Sequence, residues 1–447
     1  MISNRPELER TPAHGLALDC VESAITAAAP ERATRASVGV DGTQLRVDGE
    51  SYDLAAYDEV VVVGGGKAAA GVTAALESLL GDRLTDGCIV TEEPADLDRV
   101  RVRVGDHPVP TERNVAATRE LLELLETTTE DTLVIAVVTG GASALLAAPA
   151  RDLTLSALRE TTDALLESGA PIAEMNAVRK HLSATKGGQL ARAATPATVV
   201  GLALSDVVGD DLSVVGSGPT VPDGTTYADA LGVLDRYDVA VPEAVRSHLE
   251  AGDGGDRPET PAETDPTFER TRTVCLGTNG TALDAAVETA SEAGYDTLRL
   301  TSRLRGQARH VGQVVASVAE SVALDGEPVE PPAVVVAGGE TTVQLDGEAG
   351  RGGPNQELAL AAALDLPPGP VLAAVDTDGE DGSSDAAGAI VDASTVTDTA
   401  RASERLDAHD AGTVLADAGA AIRTGPTGTN VNDVVVVVVP ETGPREM

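Results

Sequence analysis

Only three lysines, Lys67, Lys180 and Lys186, occur in this 447-residue chain, and all its other basic side chains except histidine are arginines. Each lysine stands in a glycine- or asparagine-marked segment, where a compact ammonium on a flexible stem suits a phosphate or carboxylate. Lys67 closes VVVGGGK, a strand-like run that ends in Gly64, Gly65 and Gly66 before a helical alanine run. Glycines let backbone approach a ligand closely, and a helix N-terminus offers N–H groups and a positive dipole end to an anion. This is not a Walker A loop, because Ala68 stands where that motif needs Ser or Thr for magnesium. The GxGxxA spacing of Gly64, Gly66 and Ala69, with Glu92 and Glu93 after the next strand, keeps a dinucleotide-binding reductase as the rival reading. A tight strand-to-helix turn without any ligand is the plain alternative.

Three further segments of the first half have the same character. VVTGGASALL supplies Gly140, Gly141 and Ser143 at another strand-to-helix turn, where Ser143 reads equally as a helix cap. NAVRKHLSATKGG gathers Arg179, Lys180, His181 and Lys186 into the one concentrated basic cluster, which would focus an anion, although a solvated helix face is the usual meaning of such a run. LALSDVVGDDLSVVGSGP ends a strand at Asp206 and continues to Ser217. A carboxylate at a parallel strand's C-terminal end is where open α/β sheets hold ligands, so Asp206 is a candidate base or metal ligand. In the second half, glycine-rich segments carry Asn279, Glu340, Asn355 and Glu357, Asp378, and Thr427 with Asn430. DTDGEDGSSD fails as a calcium loop, since Asp381 occupies the EF-hand glycine position, while a few carboxylates with water suit magnesium. Nucleophile-elbow and zinc-hydrolase patterns are absent.

The elements that must hold these residues alternate. Strand-like runs at 60–63, 88–90, 133–138, 199–204, 274–276, 334–337, 371–375 and 434–439 are separated by helical patterns such as 115–125 and 155–166, which predicts parallel sheets built from βαβ units. The Gly-, Pro- and acid-rich stretch 251–270 reads as a linker between an N-terminal domain at 12–250 and a C-terminal domain at 271–445. With 72 acidic against 32 basic residues, the net charge of −40 disfavours nucleic acid and anionic membranes as partners. Such self-repulsion is screened in molar salt, which points to a high-salt cytoplasm. Three scattered cysteines, no long apolar run and a polar N-terminus agree with a soluble, reduced protein.

Taken in order, GGGKAA, GDHPVP, TGGASALL, NAVRKHLSATKGG, SDVVGDDLSVVGSGPTVPD, GTN, GGETTV, GRGGPNQELALA, DTDGEDGSSDAAGA and TGPTGTNVND resemble the glycerate 2-kinase family with a MOFRL C-terminal domain, some of whose members carry the label hydroxypyruvate reductase. The resemblance implies a Rossmann-like N-terminal domain, a smaller C-terminal α/β domain and an active site in the cleft between them. It implies ATP and Mg2+ as cofactors, glycerate as substrate and transfer to its C2 hydroxyl, with NAD(P)H-dependent hydroxypyruvate reduction as the alternative; a homodimer is among the assembly states left open. The family lysine falls on Lys67 and its glycine-loop arginine on Arg351. One departure stands out: many relatives read GGRNQE where this chain has Pro354. On this reading Lys67 and Arg351 stabilise the phosphoryl group or anchor the carboxylate, and Asp206 is base or metal ligand, with Asp378 as a second metal candidate. Asn279, Glu340, Asn355 and Glu357 line the cleft, and the loop with Thr427 and Asn430 closes it.

Overall fold

The computed structural model describes residues 1–345, 347 and 349–441, so residues 442–445 of the expected C-terminal domain lie outside the described residues. The chain forms two compact units: Ala33–Leu276, and Met1–Arg32 together with Gly277–Met447.

In the first unit a small antiparallel meander of β1 (Val38–Asp41), β2 (Gln44–Val47) and β3 (Glu50–Asp53) precedes a six-stranded sheet. That sheet holds β4 (Glu59–Gly65), β5 (Asp86–Thr91), β6 (Arg101–Val104), β7 (Thr132–Val138), β8 (Thr198–Leu204) and β9 (Thr271–Gly277) in the order β6-β5-β4-β7-β8-β9. The ladders from β6 through β8 are parallel. The chain therefore reverses its direction of travel across the sheet between β4 and β7, the switch point where open α/β sheets bind ligands. Every residue of β7 is buried, as are Val60 to Gly65 of β4, because helices cover both faces of a parallel sheet and neither face can be polar.

The second unit holds β10 (Asp296–Leu304), β11 (Ala333–Gly339), β12 (Val371–Asp376), β13 (Gly388–Asp392), β14 (Ala421–Ile422) and β15 (Asp433–Val439) in the order β10-β11-β15-β12-β13-β14. Here the expected parallel sheet gives way to a mixed one: only β10 and β11 run parallel, and all other ladders are antiparallel. The reason is β15, whose seven residues are all buried and which inserts from the chain's end between β11 and β12. Helices Ala308–Asp325 and Pro354–Asp365 bury their apolar faces against this sheet.

The boundaries also differ from the sequence reading. Helix Pro12–Ala27 packs on helix Asn279–Glu292 and on β12 and β15, so the N-terminus belongs with the C-terminal sheet. Residues 251–270 are packed rather than a linker. Thr260 is buried and donates to Asp223 at 3.0 Å, Glu259 meets His181 at 3.1 Å, and Asp265 pairs with Arg192 at 3.0 Å, all within the first unit.

Candidate active site

At the switch point of the first unit, two strand ends lock together. The N–H of Gly66 donates to the Val90 carbonyl at 3.0 Å, that of Lys67 to the Gly140 carbonyl at 2.8 Å, that of Ala68 to Thr139 Oγ1 at 3.1 Å and that of Ala69 back to Gly66 at 3.2 Å. Gly66 has φ 131°, and a Cβ there would lie 2.1 Å from Thr139 Oγ1, so glycine is demanded by the neighbouring loop. Gly64 and Gly65 end β4 inside the sheet. These glycines therefore shape the turn, and the four amides from 66 to 69 that would have cradled a dinucleotide pyrophosphate are already spent. The reductase reading fails on that count.

What the turn presents is side chains. Lys67 is exposed, and its Cγ and the His107 ring both lie 3.3 Å from where a Gly141 Cβ would stand. A Cβ on Gly140 would meet Asp206 Oδ2 at 2.4 Å, so this glycine clears room for the carboxylate at the end of β8. Burial, and then the Lys67 ammonium, hold His107 below its usual value against the opposing pull of Glu92, 4.0 Å away; the ring is neutral at pH 7. Asn114, fully buried on helix Glu112–Leu125, fixes the His107 segment. Its Oδ1 accepts from the N–H groups of Asp106 and Thr111, and its Nδ2 donates to the carbonyls of Asp106 and Ala144. Sequence reasoning passed over Asn114 because it sits in an amphipathic helix away from any glycine loop. The GDHPVP stretch at 105–110, shortly before it, was the available signal.

The basic cluster divides. Lys180 is buried in an ion pair with Asp223, Nζ to Oδ1 3.1 Å, and Asp223 also accepts from Thr225 and Thr260; its expected binding role gives way to a structural one. Lys186 and Arg179 make no ion pair among the described residues. Lys186 Nζ donates to the Ser143 carbonyl at 2.5 Å, and Arg179 Nη1 to Asn176 Oδ1 at 3.4 Å. Both line a cavity of about 230 Å³ together with Ser143, whose hydroxyl lies 2.7 Å from that of Ser217.

The second unit gathers carboxylates. Asp433 accepts from Asn355 Nδ2 at 2.7 Å and from the Thr341 N–H at 3.0 Å, and burial pushes it up to about 7. Asp381 holds the N-terminus of helix Pro354–Asp365 through the N–H groups of Asn355 and Gln356 at 2.9 and 2.8 Å, yet burial still raises it to about 6. Asp376 is pushed well up by burial and then by the charges of Asp378 and Asp433. Several expected ligand-binding residues make bracing contacts within the unit. Glu357 is buried between Arg309 and His409, at 3.2 and 2.9 Å. Asn279 is buried and donates to the carbonyls of Val431 and Asp433, both at 2.9 Å. Asn355 serves the two buried carboxylates. Glu340 is exposed at the end of β11. Thr427 and Asn430 tie their loop to Asp378: the Thr427 N–H donates to its carbonyl at 2.9 Å and Asn430 Nδ2 to Oδ2 at 3.4 Å. Arg351 is exposed and ion-paired with the exposed Asp385, while Pro354 occupies the first turn of its helix. Sequence reasoning missed Asp433 and Asp381, although Asp433 directly precedes the longest valine run.

Comparison with known proteins adds the family. Residues 16–250 match the profile described as a domain of unknown function, DUF4147, and residues 333–433 match the MOFRL family. A glycerate 2-kinase of Pyrococcus horikoshii is 39% identical over 95% of this chain and 97% of its own, and a D-glycerate 2-kinase of Thermotoga maritima is 36% identical over 95% and 98%. The chain belongs to the glycerate 2-kinase family with a MOFRL C-terminal domain. The crystal structure of a glycerate kinase from Thermotoga maritima superposes with a TM-score of 0.85 at 36% identity, covering 95% of this chain and 99% of that one. Coverage of this extent spans both units, so the family's two α/β domains are both present. Among the described residues no helix is long and apolar enough to cross a membrane, and no three His, Cys, Asp or Glu side chains are grouped to hold a metal ion.

Proposed function

We propose that this chain transfers the γ-phosphoryl group of ATP to the C2 hydroxyl of glycerate, giving 2-phosphoglycerate and ADP. The observation that carries the reading is the meeting of Lys67, His107 and Asp206 around Gly140 and Gly141 at the sheet's switch point. Phosphoryl transfer asks mainly for positioning and for stabilisation of charge on the transferring group. Lys67, exposed on a rigid turn, supplies the positive charge. Asp206 accepts the proton of the attacking hydroxyl, and neutral His107 donates or accepts a hydrogen bond beside it without adding charge. Arg351 of the second unit is assigned to the phosphates, since an exposed ion pair with Asp385 is readily exchanged for a better anion.

Magnesium fits as an ion carried on the nucleotide, because such ions keep several waters and need only one or two protein carboxylates. Asp378, or Asp206 where it does not serve as the base, is the carboxylate that would touch it, and bound magnesium would neutralise phosphate charge.

A coupled assay of the purified chain with ATP, magnesium and D-glycerate tests the reading. It should release ADP and yield the 2-phosphate rather than the 3-phosphate; NADH oxidation by hydroxypyruvate without ADP release would overturn it. The same assay run from molar KCl to low salt tests a high-salt cytosol as the working environment, because a net charge of −40 needs screening. Constant activity and melting temperature across the series would remove that assignment.

A further inference from the structure

Resting on the kinase reading, we propose that the cavity of about 230 Å³ in the first unit seats the carboxylate end of glycerate, with Lys186 and Arg179 as its anchors. Lys186 is only 6% exposed, and among the described residues the Ser143 carbonyl is the sole acceptor its ammonium meets. Arg179 has five donors and a single long bond to Asn176. Carboxylates abound in this chain, yet none among the described residues reaches either cation, whereas neighbouring Lys180 has a buried partner of its own. A buried lysine and a half-buried arginine lining one cavity without a counter-charge destabilise a fold unless a ligand supplies the charge. Ala144, Ala147, Ala148 and Leu182 make the rest of the wall largely apolar, and the volume falls below that of pockets for drug-sized ligands, so a small anion fits and a nucleotide does not.

The cavity adjoins the reacting groups. Ser143 in its wall is two residues beyond Gly141, against which Lys67 and His107 stand, and Pro108 in the same wall follows His107 directly. A carboxylate held by Lys186 and Arg179 thus leaves the hydroxyl-bearing end facing the Lys67 and Asp206 side. Binding also takes up a proton. Burial first, and then the charge of Arg179, lower Lys186 to about 7, and an entering carboxylate favours its ammonium. Affinity for glycerate is therefore full below pH 7 and falls above it, by up to about tenfold per pH unit. The other charged groups facing the cavity are Arg159, held on the Pro110 carbonyl, and exposed Asp163, both on helix Leu155–Glu167, with His107 before Pro108. Burial and the Lys67 charge hold His107 below its usual 6.5, so above pH 7 it is neutral while Lys186 loses its proton.

The test uses the full-length enzyme and its Lys186→Met, Lys186→Arg and Arg179→Met variants, with kcat and both KM values measured from pH 6 to 9. Glycerate binding is measured alongside by calorimetry in buffers of different ionisation enthalpy. Lys186→Met should raise KM for glycerate by about 10–100-fold, the effect of losing a charged hydrogen bond, while KM for ATP stays put and the melting temperature does not fall. Lys186→Arg keeps the charge and should flatten the rise of KM with pH. Unchanged KM for glycerate in Lys186→Met, or a rise confined to KM for ATP, overturns the proposal. If the wild type turns over no glycerate, the kinase reading fails separately, and calorimetry still decides the cavity. Glycerate binding with proton uptake that Lys186→Met abolishes supports it, and no binding to the wild type overturns it.

Discussion

Among the described residues, the parallel-sheet unit leaves cations without an opposite charge, buried Lys186 and half-buried Arg179, whereas the mixed-sheet unit leaves buried carboxylates, Asp433 and Asp381. The two solutions differ in kind. The carboxylates are wrapped by backbone N–H groups and asparagine amides, so their bonds are met from within and burial still raises them. The cations border a cavity and, among the described residues, meet only a carbonyl and an asparagine oxygen. A buried charge that the protein wraps with its own donors is part of the framework. One that faces open volume is waiting for something from outside, and this contrast assigns the anion-binding role to the first unit more firmly than its glycine loops do.

The sharpest way to break that contrast is to remove the cation that does have a partner. Lys180→Met strands Asp223 in the interior, and losing one member of a buried ion pair costs about 3–5 kcal/mol. Its melting temperature should drop steeply, while kcat and KM for glycerate of the folded fraction hold. Lys186→Met, by contrast, should melt no lower than the wild type. Equal destabilisation of the two variants in thermal melts would erase the distinction between framework and waiting charges.

Next in size is Lys67→Ala. The side chain is exposed and unpaired among the described residues, and the bond of its backbone N–H to Gly140 survives the substitution. Turnover should fall by about 10²–10³-fold, as for other single electrostatic donors, with a smaller change in KM and the same melting temperature. Lys67→Arg should also lose turnover, because a planar guanidinium does not replace a compact ammonium. Arg351→Ala should follow the same pattern, since an exposed pair such as that with Asp385 contributes only about 0–1 kcal/mol to stability. Near-normal turnover of Lys67→Ala would make Lys67 a mere helix-start residue.

The sequence carried the strands well where both faces are buried, as in β4, β7 and β15, because a continuous apolar run has one meaning there. It could not carry their direction. Whether β15 runs with or against β11 and β12 depends on where the chain's end is inserted, which no local periodicity encodes. Residues 251–270 looked like a linker because Gly, Pro and acids dominate them, yet Thr260, Glu259 and Asp265 are fixed by partners 37, 78 and 73 positions away. Lys180 and Lys186 illustrate the same limit at the site: six residues apart and alike in type, they are separated in role by Asp223. The placement of Lys67 and Asp206, each two residues beyond the end of a strand, was legible from the apolar runs before them, and a parallel sheet leaves strand ends where ligands bind.

The smallest expected effect probes the carboxylate side of the contrast. Asp433 has a folded value near 7, above the ordinary 3.8, so its contribution to stability is complete below about pH 4 and is lost as the pH rises through 7. Charging it forces a desolvated carboxylate beside Asp381 and Asp376. Asp433→Asn removes that demand while keeping an oxygen for the Thr341 N–H. The amide it introduces can meet Asn355 Oδ1, which is buried and has no partner among the described residues, once the Asn355 amide turns over. The variant should therefore match the wild type near pH 5 and melt about a degree higher at pH 8 for each ~1 kcal/mol gained. Melts in constant KCl keep surface screening equal across the series. If the wild type and Asp433→Asn lose stability in parallel from pH 5 to 8, Asp433 is ionised throughout, and the buried acids of this unit are balanced by their amide donors after all.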